Sequence, residues 1–153
     1  MNLTVDVQRA METGEQPSDE DFKRWASAAL QTDQDAELSV RIVDRDESAR
    51  LNQQYRHKHG PTNVLSFPFD SLPEIEPRLL GDLVICAPVV EQEAQEQQKP
   101  PDSHWAHMVI HGTLHLQGYD HINEADADLM ESLEINILKE LGFANPYTET
   151  EHE

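Results

Sequence analysis

The residues best suited to chemistry in this chain lie in one short segment, His111-Gly112-Thr113-Leu114-His115-Leu116-Gln117-Gly118-Tyr119-Asp120-His121. Residues four apart in an α-helix lie one turn above each other, so His111 and His115 direct two imidazoles to one point. Gly118 is placed to take the left-handed conformation that ends a helix and turns the chain back. That return brings His121 to a third vertex. Three neutral imidazoles with a fourth tetrahedral position left for water describe a catalytic rather than a structural zinc site. The expectation is one Zn2+ per chain, held by His111, His115 and His121.

Other histidines compete for this role. His104 and His107 fall on nearly the same helical stripe as His111 and His115. A rise of about 1.5 Å per residue separates His107 from His115 by about 12 Å along the axis, too far to share an ion. His107 and His111 make a possible pair, but the sequence offers it no matching third ligand. The segment also fits the extended zincin pattern H-E-x-x-H-x-x-G-x-x-H at every position but one. Gly112 stands where a metalloprotease carries its general-base glutamate, so peptide hydrolysis would lack its proton acceptor.

The elements that position these residues can be read from periodicity. Leu3 to Val7 alternates as a strand. Ser18, with Asp21 three residues on, signals a helix start, and Phe22, Trp25, Ala26, Ala29 and Leu30 mark its apolar face. Leu38 to Val43 reads as a second strand. Asp44 or Asp46 caps a helix running to about Arg56, with Ala49, Leu51 and Tyr55 for contacts. Asn63 to Phe69 is extended, and Leu79 to Ile85 is a further strand after a Pro-rich loop. Glu91 to Lys99 reads as an exposed helix stopped by Pro100 and Pro101. Asp102 or Ser103 then caps the helix that carries the histidines to about Gly118. Asn123 caps a last helix with Met130, Leu133, Ile137, Leu138 and Leu141 on one side and Gly142 at its end. The tail from about Asn145 is acidic and is expected to be loose. The sum is an α+β fold: a small mixed sheet of about four strands, about five helices packed on it, and the metal site at the end of a central helix.

Composition sets outer limits. The 153 residues suffice for one domain with a real core, and 37% hydrophobic with 27% charged residues is ordinary for a soluble globular protein. The single cysteine, Cys86, excludes an intramolecular disulfide framework and sits in an apolar run, as a small core residue does. No signal peptide or membrane-length apolar run is evident, so a cytoplasmic location is expected. A formal charge of -19 opposes indiscriminate binding to phosphate backbones. Yet five of the eleven Lys/Arg residues (Arg41, Arg45, Arg50, Arg56, Lys58) fall within eighteen positions. An anionic substrate would have to be received there, unless the segment is simply a solvated helix face.

The histidine segment resembles the signature of the YbeY family of bacterial metal-dependent endoribonucleases, in which H-G-x-L-H-L-x-G-Y-D-H recurs. Leu51-Asn52 with Tyr55-Arg56, then Lys58, Pro61 to Phe69, and Gly81 to Ile85 are similar to family segments in the same order. The resemblance spans roughly residues 40 to 142, with Asn63 standing where the family usually shows Asp. It implies zinc bound by the three histidines and single-strand-specific endoribonuclease activity. It further implies a part in 3′-end maturation of small-subunit ribosomal RNA, ribosome quality control and ribosome biogenesis. RNA, the small ribosomal subunit and its proteins are the implied partners, with no membrane and no DNA. The family's conserved arginine corresponds to Arg56, whose guanidinium offers planar paired donors to phosphate oxygens. A non-catalytic, zinc-stabilised ribosome assembly factor is the alternative. A general hydrolase of small phosphorylated molecules suits the site but not the resemblance. Asp120 and Tyr119 are candidates for a supporting role beside the ion, and the acidic face of the last helix (Glu124, Asp126, Asp128, Glu131, Glu134) for docking on a basic ribosomal protein.

Overall fold

The computed structural model describes residues 3–11, 16–32, 34–69, 78–119 and 123–147. Strand β1 (Leu3–Arg9), helix α1 (Asp19–Ala28), strand β2 (Ala36–Val43) and helix α2 (Arg45–Arg56) come first. Strands β3 (Val64–Pro68) and β4 (Arg78–Cys86) follow, then helices α3 (Ala87–Glu96), α4 (Pro101–Leu116) and α5 (Glu124–Glu140). The four strands form one mixed sheet in the order β1-β2-β4-β3. The β1–β2 and β2–β4 pairs are parallel, and β3 runs antiparallel to β4 at the edge. Among the described residues, four strands and five helices in an α+β arrangement match the secondary-structure part of the sequence expectation.

Strand alternation divides the sheet into two faces. Leu38, Val40 and Ile42 of β2, with Leu83 and Ile85 of β4, belong to the large core shared with α1, α4 and α5. Val43, Leu65, Val84 and Cys86 face the other way and form a smaller cluster with Leu51 of α2. A bulge reconciles Leu80 with this pattern: Glu37 pairs with Leu79 but Leu38 pairs with Gly81, so Leu80 is the extra residue and joins the large core. Gly81 makes the bulge possible. Its φ is +140°, and a Cβ there would sit 2.2 Å from the Phe67 carbonyl oxygen.

Several helix ends are set as the sequence suggests. Ser18 and Asp21 form the reciprocal capping box of α1. Asp44 accepts from the Glu47 amide at the start of α2, and Asn123 from the Asp126 amide at the start of α5. Three expectations need correcting. Helix α3 begins at Ala87 rather than Glu91, and it buries Ala87, Val90 and Ala94, so only its later, Gln-rich part is exposed. Helix α4 has no side-chain cap at Asp102 or Ser103. It starts with Pro101, whose missing N–H would be unpaired in a first turn anyway. Helix α2 buries the polar Ser48 and Asn52, while Tyr55 is 56% exposed. Ser48 Oγ exchanges hydrogen bonds with Thr62, and Asn52 donates to the Gly60 carbonyl, so these two residues clamp the loop that leads into β3.

Helix α4 is buried nearly all round, as the centre of a two-sided packing must be. It touches α1, α3, α5, β3 and β4. Within its second half, His111 and His115 are the only residues less than fully buried, and both stand on the same helical face.

Candidate metal centre

His111 and His115 project from α4 with ring centroids 5.1 Å apart and planes at 70°. Gly112, between them, faces the sheet, where a Cβ would meet Leu83 Cδ2 at 2.6 Å and Ser66 Oγ at 3.4 Å. The absence of a side chain there lets α4 approach β3 and β4 closely. The helix ends as expected: Gly118 has φ +103°, its amide donates to the His115 carbonyl, and the Tyr119 amide donates to Leu114. Gln117 fixes this end laterally by donating to the Ala29 carbonyl (2.9 Å) and accepting from the Gln31 amide (2.7 Å). His121 and Asp120 lie outside the described residues. Among the described residues, no group of three His, Cys, Asp or Glu converges on one point.

Behind the pair lies a carboxylate that sequence reasoning placed wrongly. Glu134 of α5 is fully buried, not part of an exposed acidic face. Its Oε2 is 2.7 Å from His111 Nδ1, and its Oε1 is 2.9 Å from His107 Nε2. The Tyr147 hydroxyl donates to the same Oε1. Burial pushes the Glu134 carboxyl up, but hydrogen bonds from His107 and His111 outweigh it and bring the group down to about 2. Burial also lowers His107, with the adjacent Glu134 only partly opposing it, so that ring is neutral near pH 7. The Tyr147 hydroxyl is raised by burial and by its bond to Glu134, and it stays protonated.

The tautomers follow. An ionised carboxylate only accepts, so His111 carries a proton on Nδ1, and Nε2 is the nitrogen a neutral ring would turn to a metal. His107 carries its proton on Nε2, and its Nδ1 is buried with no partner among the described residues. His104 repeats the arrangement one turn earlier: Nε2 is 2.8 Å from Glu93 Oε1, and Nδ1 is buried and unpaired. Glu93 also accepts from Asn63 Nδ2 at 3.1 Å, so the amide at this position supplies a donor that a carboxylate would lack. His104 and His107 are therefore structural histidines, bound to carboxylates in the interior.

The donor set fits a zinc-type ion as far as it is described. Two imidazoles stand one turn apart, and one is oriented from behind by a buried carboxylate, the usual partner of a metal-ligating histidine. A sequence signal for Glu134 existed. It lies on one stripe with Met130, Ile137 and Leu138, all buried, and a carboxylate inside an apolar stripe must be paired.

Arg56 is the last residue of α2, exposed, with the left-handed His57 (φ 57°) capping the helix after it. Helix α2 covers the face of the sheet opposite α4, and among the described residues no hydrogen bond or ion pair is seen between Arg56 and the histidine pair. Within the basic segment, Arg41 is paired with Glu47 at 2.7 Å and Arg45 donates to Gln92. Arg50, Arg56 and Lys58 remain exposed.

Fold and site together define a compact class: a mixed four-stranded sheet under a buried helix that presents paired histidines backed by a carboxylate. The family model described as Endoribonuclease YbeY matches residues 6–142. A protein of that name from Methylococcus capsulatus is 61% identical over 148 residues, covering 96% of this chain and 97% of the relative. The solution structure of a Thermotoga maritima protein shares the fold with a TM-score of 0.52 at 23% identity, covering 95% of this chain and 100% of that one. The chain belongs to the YbeY endoribonuclease family. No helix among its described residues is long and apolar enough to cross a membrane.

Proposed function

We propose that this protein is a single-strand-specific, metal-dependent endoribonuclease acting in 3′-end maturation of small-subunit ribosomal RNA, ribosome quality control and ribosome biogenesis. The observation that carries the metal-dependent part is the His111–His115 pair with Glu134 behind it, in a chain of an endoribonuclease family. His111, His115 and His121 are the proposed ligands of one zinc-type ion. When bound, such an ion supplies Lewis acidity toward a phosphoryl oxygen and makes water more acidic. The chain's own residues do the rest. Glu134 holds the His111 ring in one orientation, Gly112 keeps the helix tight on the sheet, and Gln117 anchors the turn that precedes His121.

Arg56 is assigned to the phosphate. Its guanidinium remains charged at any working pH and offers two parallel donors to non-bridging oxygens, where negative charge grows in the transition state. Its exposure at the end of α2 leaves it accessible to a polymer. With a net charge of -19, most of the surface repels RNA. The substrate is therefore delivered through partners, for which the small ribosomal subunit and its proteins are the proposed source.

The test is cleavage of a single-stranded RNA by purified protein, with metal content measured on the same sample. Cleavage should track bound metal, stop with a chelator and return on adding zinc. Cleavage by metal-free protein would overturn the metal assignment. A loaded protein that binds the small subunit yet leaves RNA intact would favour a zinc-stabilised assembly factor.

A further inference from the structure

We infer that Glu134 is a positioning residue for the histidine site, and that its buried carboxylate, anchored on one oxygen by His107 and Tyr147, fixes His111 as the Nδ1–H tautomer with Nε2 directed to a zinc-type ion. This rests on the metal assignment proposed above and deepens it.

Geometry comes first. The carboxylate is divided between two duties: among the described residues Oε2 serves His111, while Oε1 takes His107 and the Tyr147 hydroxyl. A glutamate side chain with one contact can rotate about its terminal torsion. Contacts on both oxygens, from α4 on two sides and from the segment after α5, remove that freedom. The direction of the Oε2 lone pairs is then set by His107 and Tyr147, and the plane and tautomer of His111 follow. The unpaired Nδ1 of His107 supports this order of cause. Among the described residues His107 leaves a buried acceptor without a donor while spending its one N–H on Glu134.

Chemistry gives the arrangement its consequence. An imidazole binds a metal through an unprotonated nitrogen, and hydrogen bonding at the other nitrogen decides which one is available. A carboxylate behind the ring also raises its basicity as a ligand, and loss of such a partner commonly weakens metal binding by about 10–100-fold. Tyr147 extends the device to the chain beyond α5. Its hydroxyl reaches Glu134, and Lys99 Nζ donates to the neighbouring Pro146 carbonyl at 3.3 Å. The expected loose tail is therefore tied down as far as Tyr147.

Two measurements decide the matter. In metal-free wild-type protein, long-range 1H–15N correlation of the histidine side chains should show His111 as Nδ1–H and His107 as Nε2–H. An Nε2–H tautomer at His111 would overturn the inference without reference to any metal. Cobalt(II) affinity by chelator competition should then fall about 10–100-fold in Glu134→Met, which nearly keeps the volume and removes both acceptors. Glu134→Gln, with one acceptor left, should fall between Met and wild type, and it replaces the Met variant if that one fails to fold. A folded variant that binds cobalt as tightly as wild type would refute a positioning role. If wild type itself binds no cobalt, the metal assignment fails instead, and the tautomers alone then judge Glu134.

Discussion

A Cβ on Gly112 would lie 2.6 Å from Cδ2 of the fully buried Leu83. The position at which a zincin protease holds its catalytic glutamate is thus turned into the sheet, away from the histidine face. Gly112 both lacks the base and sits in a close contact with the sheet. Gly112→Glu should not create a protease. It would bury an unpaired charge in an overpacked contact, with an expected cost of roughly 4 kcal/mol or more. Thermal melting and soluble yield would show this, and a folded variant that hydrolyses casein would contradict it.

Arg56→Ala should separate catalysis from folding. The side chain is exposed at the end of α2 and, among the described residues, shares no hydrogen bond with the histidine pair, so melting temperature and metal content should stay near wild type. RNA cleavage should fall by about two orders of magnitude or more, the scale for one lost transition-state donor. Unchanged cleavage would move the role to Arg50 or Lys58, which are exposed on the same segment.

Gly81 and Phe67 make a structural prediction at the sheet edge. A Cβ at Gly81 meets backbone atoms of Phe67 and Pro68, which cannot yield as a side-chain end can, and its φ of +140° is strained for any other residue. Gly81→Ala should destabilise the protein by roughly 2–4 kcal/mol, with the loss concentrated where β3 pairs with β4. Amide exchange across β3 would report it, and a stability within about 0.5 kcal/mol of wild type would be incompatible with the bulge.

Much of this fold was legible because local signals agreed with tertiary ones. Ser18, Asp44 and Asn123 cap the helices they precede, and strand alternation in Leu38–Val43 assigns the sheet faces. His111, His115 and Gly118 were readable because a helical spacing and a glycine suffice to state their geometry. What stayed hidden depends on long-range contacts. Ser48 and Asn52 were not among the contacts expected of α2, because their partners, Thr62 and Gly60, lie beyond the helix end. Glu134 counted as one more charge on an acidic helix because its two histidine partners belong to α4. The acidic face expected on α5 therefore loses Glu134 and retains the exposed Glu124, Asp126 and Asp128.

One divalent ion per chain is the expected stoichiometry. His104 and His107, the only other candidates on α4, are committed to Glu93 and Glu134. Elemental analysis after dialysis should find about one zinc equivalent, and substituting His111 or His115 should abolish it. Two tightly held ions would point to a second centre.

Acid should unfold the metal-free protein in two stages, and the sign follows from which state takes up protons. His107 has a folded value below the ordinary 6.5, held down by burial, so the unfolded chain binds the proton more readily. Stability therefore falls as pH drops below about 6.5. Glu134 is lowered from 4.5 to about 2, despite burial, by its histidine hydrogen bonds. Its contribution is complete above the unfolded value and is lost as pH falls from about 4.5 toward 2. Glu93 acts in the same direction: burial raises it, but bonds from His104 and Asn63 bring it below its ordinary value. Urea unfolding of metal-free protein between pH 8 and pH 3 should show both declines. Glu134→Gln should flatten the lower one and leave the decline near pH 6 to His107. A stability profile that is level from pH 7 to pH 5 would show that His107 is not held neutral in the folded state.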